Sequence, residues 1–202
     1  MAEELRLKAG CKITTGKKLY EGYELGENSL TANVSIEKIE DVLIHFIAMH
    51  DEPLFFILEL PAKADEEQEV KSGVVESLHK EVYYIDGCSR EEAVAILEGI
   101  GSLLYNDGLS SFGFGGHESA DEIMFGKYNV LQIYSKDISG FDGFLEEHKI
   151  ERVDSLVTGW DVISKDTPGV CSRYEEQGKS VFDIPEEFKD WGIYLAEQRE
   201  DY

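Results

Sequence analysis

Long apolar runs are absent from this chain. No stretch approaches the roughly 18 consecutive apolar residues of a membrane-spanning helix, and the N-terminal MAEELRLKAG lacks the apolar segment of a signal peptide. A cytoplasmic protein is expected. Basic residues are also scarce, with 19 Lys and Arg against 42 Asp and Glu and a net charge of −23. Such a chain repels phosphate backbones and anionic bilayers, which argues against binding either nucleic acid or membranes unless the protein mimics DNA. The excess negative charge serves solubility or attracts a cationic partner. Cysteines number three, Cys11, Cys88 and Cys171, widely spaced and with no CxxC. That pattern argues against a disulfide framework or a zinc knuckle and favours free thiols. Nor is there a GxGxxG opening a helix, a Gly-Lys-Ser/Thr loop or a GxSxG elbow, so no nucleotide, cofactor or serine-hydrolase site is expected.

What remains is an ordinary globular composition, 42 % apolar over 202 residues, enough for one good core in a single domain spanning 1–202. The chain is organised around residues 81–135. Val82 to Ile85 read as a strand ending at Asp86-Gly87. Ser89 and Glu92 then form a capping box that starts a helix, whose apolar positions Ala93, Ile96, Leu97, Ile100, Leu103 and Leu104 recur at helical spacing. Gly99 and Gly101 within it require close packing. Beyond Asn106-Asp107-Gly108, Phe112 and Phe114 alternate with Ser111, Gly113 and Gly115, a strand whose glycine face is approached closely by another backbone or by the helix. Ile123–Phe125 and Val130–Tyr134 read as an antiparallel hairpin about Gly126-Lys127.

Upstream, residues 4–33 read as short strands. Ser35 is the expected cap of a helix carrying Ile36, Ile39, Val42, Leu43, Phe46 and Ile47, and Leu54–Leu60 is a strand buried on both faces. Segments 28–60 and 81–117 thus share a strand–helix–strand order, an arrangement consistent with internal duplication. Between them, residues 61–73 read as an exposed, mobile acidic loop. Downstream, the pattern predicts a helix capped by Ser139, a strand over 153–160, and a C-terminal helix with Phe188, Trp191 and Leu195 along one stripe. The fold class expected is α+β, a mostly antiparallel sheet with about four packed helices.

One cluster carries possible chemistry. His117-Glu118-Ser119-Ala120-Asp121 is an H-E-x-x-D string, and His117, Glu118 and Asp121 are candidate ligands of a hydrolytic metal, with Glu118 as general base. Its context, a Gly-Gly turn between strands, favours a solvated loop. Cys88 before a helix N-terminus is a candidate low-pKa thiol, with His117 or His79 as its partner, although a structural role is the simpler reading. His45 and His50 lie close on one helix, one half-buried and one in the last turn, and His148 suits a helix C-terminus. The ten tyrosines among so many carboxylates suit a surface on which aromatics anchor and acids steer a basic protein. The leading expectation is a non-enzymatic binding module, such as an intracellular inhibitor or immunity protein for a cationic partner. The alternatives are the metal hydrolase and a small-ligand domain with a closed apolar cavity between Phe112, Phe114 and the glycine face.

Overall fold

The computed structural model describes residues 2–61, 68–71, 74–76 and 79–200. Its strands are β1 (Cys11–Ile13), β2 (Gly22–Leu25), β3 (Ser29–Asn33), β4 (Leu54–Pro61), β5 (Gln68–Lys71), β6 (Val74–Glu76), β7 (His79–Cys88), β8 (Ser111–Gly116), β9 (Glu122–Phe125), β10 (Val130–Tyr134), β11 (Gly169–Cys171) and β12 (Tyr194–Glu200). The helices are α1 (Ile39–Met49), α2 (Arg90–Asn106), α3 (Ser139–Glu147) and the single turns α4 (Gly159–Val162) and α5 (Ile184–Glu187).

Eight strands form one antiparallel sheet in the order β12-β7-β4-β8-β9-β10-β3-β2. The expected α+β class is correct. β4 lies between β7 and β8, and its Leu54, Phe56, Leu58 and Leu60 are buried in the core. On the opposite face Ile57 is buried but Phe55 and Glu59 are half-buried, so the expected burial on both faces does not hold along the whole strand. The two strand–helix–strand segments therefore interlock. β7 and β8 flank β4, whereas β3 and β4 are separated by β8, β9 and β10.

Helices α1 and α2 pack beside one another on one face of the sheet. Val42, Leu43 and Phe46 of α1, with Ala93, Ile96 and Leu104 of α2, meet Phe56, Phe112, Phe114, Phe125, Leu131 and Ile133, all fully buried. Burial of one such aromatic or aliphatic side chain contributes about 1.5–3 kcal/mol. The expected capping box at α2 is present, with Ser89 Oγ accepting the Glu92 amide at 3.2 Å and Glu92 Oε2 accepting the Ser89 amide at 2.8 Å. Gly101 lies beneath the Tyr105 ring, as close packing requires, whereas Gly99 faces open space.

Several expected elements are replaced. Ser35 does not cap α1: its hydroxyl accepts the Arg6 amide at 3.1 Å, and a 3-10 turn over Ile36–Lys38 leads into the helix. Asp137, not Ser139, accepts the amide and hydroxyl of Ser139 at the start of α3. Residues 153–157 form no strand. They are tied to β2 by Val153 N–H donating to the Tyr23 carbonyl and Leu156 N–H donating to Glu24, after which Thr158 and Asp161 cap α4. The C-terminal helix is a single turn, followed by a 3-10 turn over Lys189–Trp191 that ends where Gly192 adopts a left-handed φ of 82°. The chain then extends as β12 along the edge of β7, leaving Leu195 opposite Tyr83 and exposed. Of the predicted loop at 61–73, residues 62–67 and 72–73 lie outside the described residues, and Gln68–Lys71 pairs with Val74–Glu76. Among the described residues no helix is long and apolar enough to cross a membrane.

Candidate functional site

The H-E-x-x-D string occupies the tight connection between β8 and β9, where Ala120 N–H returns to the Gly116 carbonyl at 2.9 Å and Ala120 itself has a φ of 58°. That geometry parts the three candidate ligands. His117 is exposed, packs edge-on to the Phe55 ring and places Nε2 3.2 Å from Asp86 Oδ1. Glu118 is exposed. Asp121 faces another set: its Oδ2 accepts the Ser135 hydroxyl at 2.7 Å and lies 3.0 Å from His50 Nε2. His50 is buried, and its Nδ1 donates to the Phe46 carbonyl at 2.7 Å. Asp121 thus clamps the end of α1 to the start of β9 and to the segment after β10. Among the described residues no three His, Cys, Asp and Glu side chains are grouped to hold a metal ion.

Cys88 is buried, and its thiol donates to the Ile85 carbonyl at 3.5 Å. Burial, followed by the nearby Glu92 carboxylate, pushes this thiol up to about 11. Desolvation therefore outweighs the helix dipole, and Cys88 stays protonated at neutral pH. His45 stacks on Phe144 at 3.9 Å, and His148 donates from Nδ1 to the Phe144 carbonyl at the end of α3.

One large recess lies on the sheet face opposite α1 and α2. It is a groove of about 730 Å³, with Glu59, Ser111, Glu122 and Gln132 on its floor and Tyr84, Tyr134 and Trp160 among its walls. The glycine face of β8 belongs to this side. Phe112 and Phe114 point the other way, into the core, so the residues expected to line one closed apolar cavity lie on opposite faces of the sheet. A side chain at Gly113 would run into the Ile123 carbonyl, and one at Gly115 would meet the Phe55 ring. The groove neutralises its own charges: Glu59 is 3.2 Å from Arg199 and 3.6 Å from Lys80. Burial, then the Glu59 carboxylate, raises the pKa of Glu122 above the ordinary range, and burial raises that of Tyr84.

A smaller recess, about 470 Å³, runs between α1 and α2 on their outer side. Its acids are Glu37, Glu40 and Glu98, and its apolar walls come from Ile36, Leu97 and Tyr105. Arg6 pairs with Glu37, whereas Glu40 and Glu98 have no ion-pair partner among the described residues. Tyr105 is 9 % exposed, and its hydroxyl has no hydrogen-bond partner among the described residues. Burial pushes that phenol up, so it remains a donor at neutral pH. A buried hydroxyl without a partner costs about 1–3 kcal/mol, a penalty that an incoming acceptor or a bridging water relieves. Helical spacing already places Glu37 with Glu40, and Glu98 with Ser102 and Tyr105, on single stripes. Only the packing of α1 against α2 joins the two stripes. Compared with known proteins, the chain matches no family model, no curated protein and no solved structure.

Proposed function

We propose that this protein is a non-enzymatic binding module that docks a basic segment of another protein into the groove between α1 and α2, in the manner of an intracellular inhibitor. The observation that carries this reading is the pairing of the unpartnered carboxylates Glu40 and Glu98 with the unsatisfied Tyr105 hydroxyl in one recess. A lysine or arginine side chain would meet the carboxylates, and its aliphatic stem would lie on Leu97 and Tyr105. The net charge of −23 would speed encounter at long range and weaken it as salt rises.

The test is affinity capture from host lysate with the full chain at low and high salt, run beside two charge-reversed variants. Glu40→Lys/Glu98→Lys alters the groove, and Glu147→Lys/Asp154→Lys changes the net charge equally at exposed sites elsewhere. A basic protein retained by the wild type and by the second variant, but reduced about tenfold or more by the first, supports the groove. Equal loss with both variants reduces the interaction to bulk charge and overturns it. A second reading, a small-ligand domain, is favoured by the volume of the sheet-face groove, which falls within the usual range for ligand sites. Its ligand would bind with affinity unchanged by Glu40→Lys/Glu98→Lys.

A further inference from the structure

Widely spaced in sequence, Cys11 and Cys171 are direct cross-strand partners in the two-stranded pairing of β1 with β11, and their sulfurs lie 3.8 Å apart. The adjoining pair carries a ladder bond, Ser172 N–H to the Gly10 carbonyl at 2.8 Å, while the Cys11 amide turns back to the Lys8 carbonyl. Cys11 and Cys171 therefore occupy a non-hydrogen-bonded position, where facing side chains stand closest.

The surroundings are built around these sulfurs. Lys8 is 1 % exposed, its ammonium has no hydrogen-bond partner among the described residues, and it sits 4.6 Å above the Phe125 ring. Tyr128 holds a left-handed φ of 54° and directs its amide at Cys11 Sγ, 3.4 Å away. Its phenol reaches Cys171, and Gly169 leaves room for it, since any side chain there would strike the Tyr128 hydroxyl. The two thiols are inequivalent. Cys11 is buried and Cys171 half-buried. The hydrogen bond from Cys11, then that from Tyr128, with the charges of Lys127 and Lys8 nearby, lowers the Cys171 thiol to about 6 against the opposing effect of burial. Cys11, which shares a hydrogen bond with Cys171 and is desolvated, is held well above the ordinary thiol range.

We propose that Cys11 and Cys171 form a redox couple that exchanges with a low-molecular-weight disulfide of the glutathione class and closes a cross-strand disulfide between β1 and β11. Cys171, the more exposed thiolate, attacks one sulfur of the small disulfide RSSR. The S–S bond breaks, a Cys171–SR mixed disulfide forms and RS⁻ leaves. Cys11 then loses its proton and attacks the Cys171 sulfur, expelling the second RS⁻. Each departing thiolate takes up a proton released by a protein thiol, so two protein thiols and RSSR become one protein disulfide and two RSH. The product ties residues 160 positions apart, beneath the Tyr128 ring that stands edge-on to Trp160 at one end of the sheet-face groove.

The test incubates the full chain with oxidised glutathione, traps free thiols by acid quench and alkylation, and maps disulfides by mass spectrometry. The wild type is expected to give a Cys11–Cys171 linkage with Cys88 still alkylated, and a rise in thermal midpoint of roughly 5–10 °C. Cys11→Ser is expected to accumulate a glutathione adduct at Cys171, whereas Cys171→Ser leaves Cys11 unmodified at the same time point. The rate of adduct formation in Cys11→Ser should reach its plateau at lower pH than that of a model cysteine peptide. Recovery of wild-type Cys11 and Cys171 both alkylated, oxidation of Cys88 at an equal rate, or glutathione on Cys11 before Cys171 would overturn the proposal. The wild-type mapping decides the matter even if a serine variant fails to fold.

Discussion

On β8 the two faces of the sheet alternate from one residue to the next, and they solve different problems. Phe112 and Phe114 enter the core beneath α1 and α2, where they are fully buried among Phe56, Phe125 and Ile123. Gly113 and Gly115, between and beyond them, face the opposite side, where the neighbouring strand and the Phe55 ring leave no room for a Cβ. The core face gains stability from apolar area removed from water. The groove face places ionisable groups together, with Glu59 held between Lys80 and Arg199 and Glu122 half-buried nearby. One face stabilises the fold, and the other spends part of that stability on polar groups.

The sharpest way to break the contrast is on the core face. Phe114→Ala is expected to cost about 3–5 kcal/mol in urea unfolding, because a buried aromatic leaves a cavity that its neighbours cannot fill. A loss below about 1 kcal/mol would mean that the core is not organised around this strand. Next comes Gly113→Ala, one residue away on the other face. Its methyl must push β9 aside, so a loss of about 1–3 kcal/mol is expected, accompanied by faster amide exchange at Ile123 and Met124. Unchanged exchange would show that the close approach of the two strands is relaxed in solution. The smallest effect belongs to Glu122→Gln. Burial raises the folded-state pKa of Glu122 above its ordinary 4.5. Its contribution is therefore fully present below the unfolded pKa and is lost as pH rises through the folded one. Glutamine does not ionise, so the variant should melt higher than wild type at pH 7 and match it near pH 4. A lower midpoint at pH 7 would assign the carboxylate a favourable partner in the groove instead.

Legibility from sequence followed the range of the interactions. The capping box at Ser89 and Glu92 and the apolar stripe of α2 are encoded within one or two turns, and both occur as read. Ser35 resembles Ser89 in its local pattern, yet a contact 29 residues away, the Arg6 amide, claims its hydroxyl. The four-position spacing groups Asp121 with His117, but its partners are His50, 71 positions upstream, and Ser135. Leu195 fell on a helical stripe with Phe188 and Trp191 until Gly192 turned the chain into an edge strand. For Ser35 and Asp121 a distant partner outweighed a real local signal, and for Leu195 a single glycine redirected the chain.

Fold class, the faces of α1 and α2, the negative charge and the alternation on β8 follow from periodicity and composition, which act through neighbours along the chain. Tertiary structure decided which strands lie side by side, which helix stripes meet to form the acidic groove, and that Cys11 stands opposite Cys171. Those outcomes depend on burying every apolar face at once. That is a condition on the whole chain, and no short window of sequence contains it.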